Sequence, residues 1–128
     1  MAEDFNASKP IYLQLADRIN RQILRKELET GQKLPSVREM AIQSGVNPNT
    51  VQRTYSELER MGSVESKRGQ GTFVTEDQSV LNQLRQRLKK EQISSFFEDM
   101  KEMGFTADEM ISGLEEYISD EERGETND

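Results

Sequence analysis

The 128-residue sequence contains neither cysteine nor histidine. It can therefore form no disulfide and no thiolate or imidazole metal site, and it has no means of Cys–His nucleophilic or histidine acid–base catalysis. No cofactor is expected. The lack of cysteine suits a reducing cytoplasm, the compartment expected here. No apolar run approaches the roughly 18 residues of a membrane span. The opening MAEDFNASKP carries acids where a signal peptide needs an apolar segment, so neither anchor nor signal peptide is expected. Hydrophobic residues make up only 33% against 32% charged, which implies a modest core under a large solvated surface. The length suits one ordinary domain, or a small domain with an extension. There is no internal repeat, no low-complexity tract and no GxxxxGK(S/T) nucleotide loop.

The net charge of −7 is unevenly spread. Residues 5–75 hold eleven Lys/Arg against seven Asp/Glu, and residues 76–128 hold six against fifteen. Only the mildly basic front is suited to a polyanion; the acidic back implies a separate task.

Apolar spacing of four in Ile11, Leu15, Ile19 and Ile23 predicts an amphipathic helix, opened by Pro10 and stopped near Thr30-Gly31. A polar elbow, GQKLP, follows. Ser36-Val37-Arg38-Glu39 reads as a capping box starting a short helix, with Val37, Met40 and Ala41 inward and Gly45 as its end. Asn47 as cap and Pro48 at the first helical position start a third helix running to about Met61, with Gly62 as its stop. Two helices joined so closely make a helix-turn-helix. Ser63–Ser66 and Gly71–Thr75 then read as a hairpin around the basic, glycine-containing tip Lys67-Arg68-Gly69-Gln70. The remainder reads as two helices, broken at Gly104-Phe105 and restarted at Thr106, with an acidic, frayed tail over 122–128. The expected fold is mainly α with a small β-hairpin. A winged helix-turn-helix domain (5–75) precedes a helical dimerisation region (76–121).

In a helix-turn-helix the second helix enters the major groove. Asn49, Gln52, Arg53 and Ser56 share one side of that helix, opposite Val51, Tyr55 and Leu58. Amides can pair with adenine and arginine with guanine, although an ordinary solvated face has the same composition. Arg38 lies in the first turn of the preceding helix, beside the positive end of its dipole. That placement suits a DNA contact or an ion pair with Glu39. Thr50 can donate to a phosphate or serve as a local turn hydroxyl. The wing tip combines cations with two glycines, as a minor-groove contact or as a solvated turn.

The stretch Pro10–Val74 resembles the GntR-type transcription-factor domain. The carriers are PIYLQL at 10–15, GQKLPSVREMA at 31–41, VNPNTV at 46–51, Tyr55, Leu58 and Gly62, and RGQGTFV at 68–74. The resemblance implies operator contacts by Arg38, by the residues opening the recognition helix and by the wing glycine. Arg38, Asn49, Thr50 and Gly69 occupy matching positions. The chain departs from the best-described members, which carry arginines where Pro48 and Gln52 stand, so base preference does not carry over. With the residues read above, the candidate DNA-contacting set is Ser36, Arg38, Asn47, Pro48, Asn49, Thr50, Gln52, Arg53, Lys67, Arg68, Gly69 and Gln70.

Fifty-three further residues are too few for the large ligand-binding or aminotransferase-like domains that GntR-type regulators usually carry. The short two-helix tail resembles the YtrA-like subfamily, which dimerises through it. Leu81, Leu84, Leu88, Phe96, Phe97, Met100, Met103, Met110, Leu114 and Tyr117 are the candidate dimerisation residues; packing on the front domain is the alternative. The expectation is a homodimeric repressor binding a double-stranded operator with inverted-repeat symmetry. Its implied targets are its own operon and one for an ABC-type membrane transporter. A protein-interaction module is the competing class, and no enzymatic activity is expected. Operator sequence and effector are not legible.

Overall fold

Side-chain caps set where the central helices begin. Ser36 Oγ accepts the Glu39 N–H at 3.1 Å and Glu39 Oε1 accepts the Ser36 N–H at 2.9 Å, the reciprocal pair read from the sequence. The helix that follows ends at Gly45, whose φ of 67° would strain any residue bearing a Cβ. Asn47 Oδ1 then accepts the Asn49 N–H at 2.7 Å and Pro48 occupies the first turn of the next helix.

The computed structural model describes residues 5–126. In order, its elements are α1 (Ile11–Leu24), α2 (Val37–Ser44), α3 (Pro48–Met61), β1 (Val64–Lys67), β2 (Gly71–Val74), α4 (Gln78–Glu102) and α5 (Ala107–Thr126). It divides into two compact units, the first ending at Gln86 and the second beginning at Arg87. No described helix is long and apolar enough to cross a membrane.

One core fills the first unit. Leu15, Ala16, Ile19 and Ile23 of α1 meet Val51, Tyr55 and Leu58 of α3, with Met40 and Ala41 of α2 and Val64 and Val74 of the hairpin. Val51 and Leu58 are wholly buried. The Tyr55 hydroxyl donates to the Pro35 carbonyl at 2.7 Å, tying α3 to the entrance of α2. Burial first, and then the Glu39 carboxylate, push its phenol pKa up, so it stays a neutral donor.

Several sequence expectations change here. The first helix ends at Leu24 rather than near Thr30-Gly31: Lys26 takes a φ of 65° and reverses the chain. Beyond Leu24 the segment has no continuing apolar face, and Leu28 alone folds back, half-buried, onto the core. Ile11, at the head of the expected stripe, is 44% exposed. GQKLP is not a simple elbow. β1 and β2 pair antiparallel with Val64 opposite Val74 and Lys67 opposite Gly71, and 31–34 lie along the other edge of β2. Gly31 N–H donates to the Val74 carbonyl at 2.9 Å, Val74 N–H to Gln32 at 2.8 Å, and Leu34 N–H to Thr72 at 2.8 Å. The free edge of β2 is thereby satisfied.

Asp77, which the sequence reading did not single out, caps α4 by accepting the Ser79 N–H at 3.0 Å. The start of α4 belongs to the first unit: Leu81 joins its core and Leu84 is buried. In the second unit, Thr106 and Glu109 form another reciprocal cap at 2.9 and 3.2 Å, just after Gly104. Helix α5 continues to Thr126, with an Arg123–Asp120 ion pair along it, so the segment read as a frayed tail is helical as far as it is described. Residues 127–128 of that tail lie outside the described residues.

The α2 cap has a testable pH signature. The Ser36 backbone N–H, followed by its hydroxyl, holds the Glu39 carboxyl below the usual range. A carboxyl with a lowered folded-state pKa stabilises the fold above its ordinary value of about 4.3, and that contribution disappears as pH falls through the folded value. In denaturant melts, the stability gap between wild type and Glu39→Gln should be widest near neutrality and close below about pH 4. A gap independent of pH would show that the charge contributes nothing.

Candidate nucleic-acid interface

Three residues, Gly45 to Asn47, connect α2 to α3. The caps at Ser36 and Asn47 spend side-chain oxygens on helix N–H groups, which fixes the direction in which each helix starts. Both residues belong to the DNA-contacting set expected from the sequence. The structure gives their oxygens a capping task and leaves the Asn47 amide nitrogen without a hydrogen-bond partner among the described residues.

Asn49, Gln52, Arg53 and Ser56 are all exposed on α3, while Val51, Thr54, Tyr55 and Leu58 are buried. The exposed stripe carries no acid. The two acids beyond it are occupied: Glu57 pairs with Arg60, and Glu59 accepts the Ser66 hydroxyl at 2.8 Å. Thr50 is half-buried, and its hydroxyl makes no hydrogen bond among the described residues. Arg38 is exposed. It makes no ion pair among the described residues, and the Glu39 carboxylate turns to Ser36 instead, so the ion pair considered for Arg38 is not formed. Pro48 is exposed at the mouth of α3. Arg53 is the exception within the stripe, because its guanidinium lies 3.9 Å from the centroid of the Tyr12 ring on α1.

In the hairpin, Gln70 N–H donates to the Lys67 carbonyl at 2.8 Å and closes the tip. Lys67, Arg68, Gly69 and Gln70 are all exposed. Gly69 has a φ of 75° with open space where a Cβ would stand, so its need for glycine is conformational rather than steric. Lys67 Nζ rests 4.7 Å from the Phe73 ring centroid, which steadies that cation at the base of the wing. The sequence pattern does not mark Lys33. The strand-like pairing of 31–34 with β2 lays its chain over Gly71, where a Cβ would come within 2.8 Å of Lys33 Cε. The only sequence cue was a lone lysine in a polar segment; pairing across the sheet places it at the wing.

The expected dimerisation residues separate into three groups. Leu81, Leu84 and Met110 are buried in the single chain and offer no free surface. For Leu81 the reason is specific: it completes the core of the first unit. Leu88 and Met100 are half-buried, whereas Phe96, Phe97, Met103, Leu114 and Tyr117 are exposed, by 64% at Tyr117. Ile93, Phe105, Ile111 and Ile118 are exposed apolar residues of the same unit.

Residues 11–74 match the model of the gntR family of bacterial regulatory proteins. Over 117 residues the chain is 54% identical to YhcF of Bacillus subtilis, named an uncharacterized HTH-type transcriptional regulator, covering 91% of this chain and 97% of that protein. It is 35% identical over 126 residues to the HTH-type transcriptional repressor YtrA of the same organism, covering 98% of this chain and 97% of that protein. Among solved structures, a GntR family transcriptional regulator from Listeria monocytogenes superposes with a TM-score of 0.82 at 37% identity, covering 88% of this chain and 98% of that one.

Proposed function

Since the chain belongs to the gntR family of DNA-binding transcriptional regulators, we propose that it is a homodimeric repressor of its own operon and of an ABC-type membrane-transporter operon, acting in the cytoplasm. The observation that carries the DNA-reading part is the acid-free outward face of α3 beside an Arg38 that no acid occupies. Asn49 and Gln52 are the base-edge readers, with Arg38, Thr50 and the tip Lys67–Gln70 contacting the flanking strands. The name of YtrA as a repressor supports the sign of regulation. The transporter target is what the YtrA-like resemblance implies.

Dimerisation rests on the second unit. Phe96, Phe97, Leu114 and Tyr117 expose large apolar surface that a lone chain leaves in water. A second copy of the same face covers it with two-fold symmetry, and the operator is then an inverted repeat with half-sites about one helical turn apart, or a multiple.

Arg38→Ala tests the assignment on DNA from upstream of the protein's own gene. Loss of one such contact should cost about 1–3 kcal/mol, or roughly 5- to 150-fold in affinity, with an unchanged melting curve. Equal mobility shifts for wild type and a well-folded Arg38→Ala protein would remove Arg38 from the interface. Deleting the gene should raise transcription of the neighbouring operon; a fall would make the protein an activator.

A further inference from the structure

By sequence spacing Arg53 belongs to the groove-facing stripe of α3, but its guanidinium lies over the Tyr12 ring at 3.9 Å. Tyr12 is the second residue of α1 and half-buried. The backbone beneath the stack is pinned, because Thr54 Oγ1 donates to the Tyr12 carbonyl at 3.2 Å and contacts the Thr50 carbonyl at 2.9 Å. The arginine makes no ion pair among the described residues, so its charge remains available.

A guanidinium that reads guanine must extend outward from the helix and bring its fork into the plane of the base edge. One laid on an aromatic face of a neighbouring helix has given up that reach. It is held on the flank of α3 rather than at the crest. When a helix lies in the major groove its crest meets the base edges, and its flanks meet the two sugar–phosphate walls. Stacking also removes rotamer freedom before DNA arrives, which a strand contact exploits without needing sequence-dependent geometry.

We infer, on the DNA-binding reading above, that Arg53 clamps a backbone phosphate and does not read a base, and that Tyr12 is the positioning residue that holds it there. The two side chains act as a unit across the α1–α3 interface. Tyr12 influences DNA through Arg53.

The experiment uses the full chain and a library of duplexes with a randomised centre, followed by titration of the enriched duplex at several salt concentrations. Arg53→Ala should enrich the same sequence as wild type. It should weaken binding to enriched and scrambled duplexes alike, by about 5- to 10-fold, and shrink the salt slope by about one for each bound protomer. Tyr12→Leu should weaken binding to a similar extent in the wild-type background and have no further effect when Arg53 is already alanine. Tyr12→Phe, which keeps the ring face, should bind as wild type. Thermal melts check that each variant is folded. A changed base preference for Arg53→Ala would overturn the inference, as would an equal loss from Tyr12→Leu in both backgrounds. Those results would leave the DNA-binding reading intact. A wild-type chain that enriches no sequence would overturn that reading and the inference with it.

Discussion

Raising salt from about 50 to about 200 mM should weaken operator binding by about 10²- to 10⁴-fold, although the chain carries a net charge of −7. The reason is local. Binding an acidic protein to a polyanion requires that its cations be gathered on the contacting surface and its acids lie elsewhere. Arg38, Lys33, Lys67 and Arg68 are exposed around the helix-turn-helix and wing, and Glu57 is paired with Arg60. Fifteen of the acids lie from Glu76 onward. If ~4–8 phosphates are neutralised per dimer, log K should fall with log salt at a slope of roughly −4 to −7. Fluorescence anisotropy at four or five salt concentrations measures it. A flat response would mean that phosphates are not contacted, and would favour a winged fold reused to bind a protein.

A chain ending at Gln86 should be a folded monomer that binds a single half-site, weaker than the whole protein on its full operator by about 10²- to 10⁴-fold, the usual advantage of tethering two contacts. The first unit keeps its entire core in such a fragment, Leu81 and Leu84 included. The exposed aromatics of the second unit are absent from it. The position of the cut matters. A chain ending at Thr75 loses Leu81 from the core and the buried Leu84 beside it, so it should be less stable than the Gln86 fragment by about 2–5 kcal/mol for each buried leucine removed. Sedimentation gives the mass of full chain and fragment, and denaturant melts compare the two fragments. A monomeric full-length protein at micromolar concentration would show that the second unit serves a purpose other than pairing. So would a Gln86 fragment that binds the full operator as tightly as the whole chain.

Much of the fold is legible in the linear order of residues because it depends on short-range chemistry. Ser36 with Glu39, Asn47 with Pro48, Gly45, and Thr106 with Glu109 satisfy helix ends from within four residues, so those helix boundaries fall where the sequence puts them. The 3–4 spacing of Val51, Tyr55 and Leu58 likewise identifies the inward face of α3, and with it the outward one. The rest depends on partners far along the chain, which no local pattern encodes. Residues 31–34 pair with β2 across some forty residues and bring Lys33 to the wing. Leu81 repeats like a residue of a dimer stripe, yet it fills a gap in a core built by residues 15–74. Arg53 shares the spacing of Asn49, Gln52 and Ser56, but a ring forty-one residues earlier draws its side chain aside. Helical periodicity says which side of a helix a residue occupies. Which neighbour waits on that side, and whether it takes the side chain, depends on how the helices and sheet pack together.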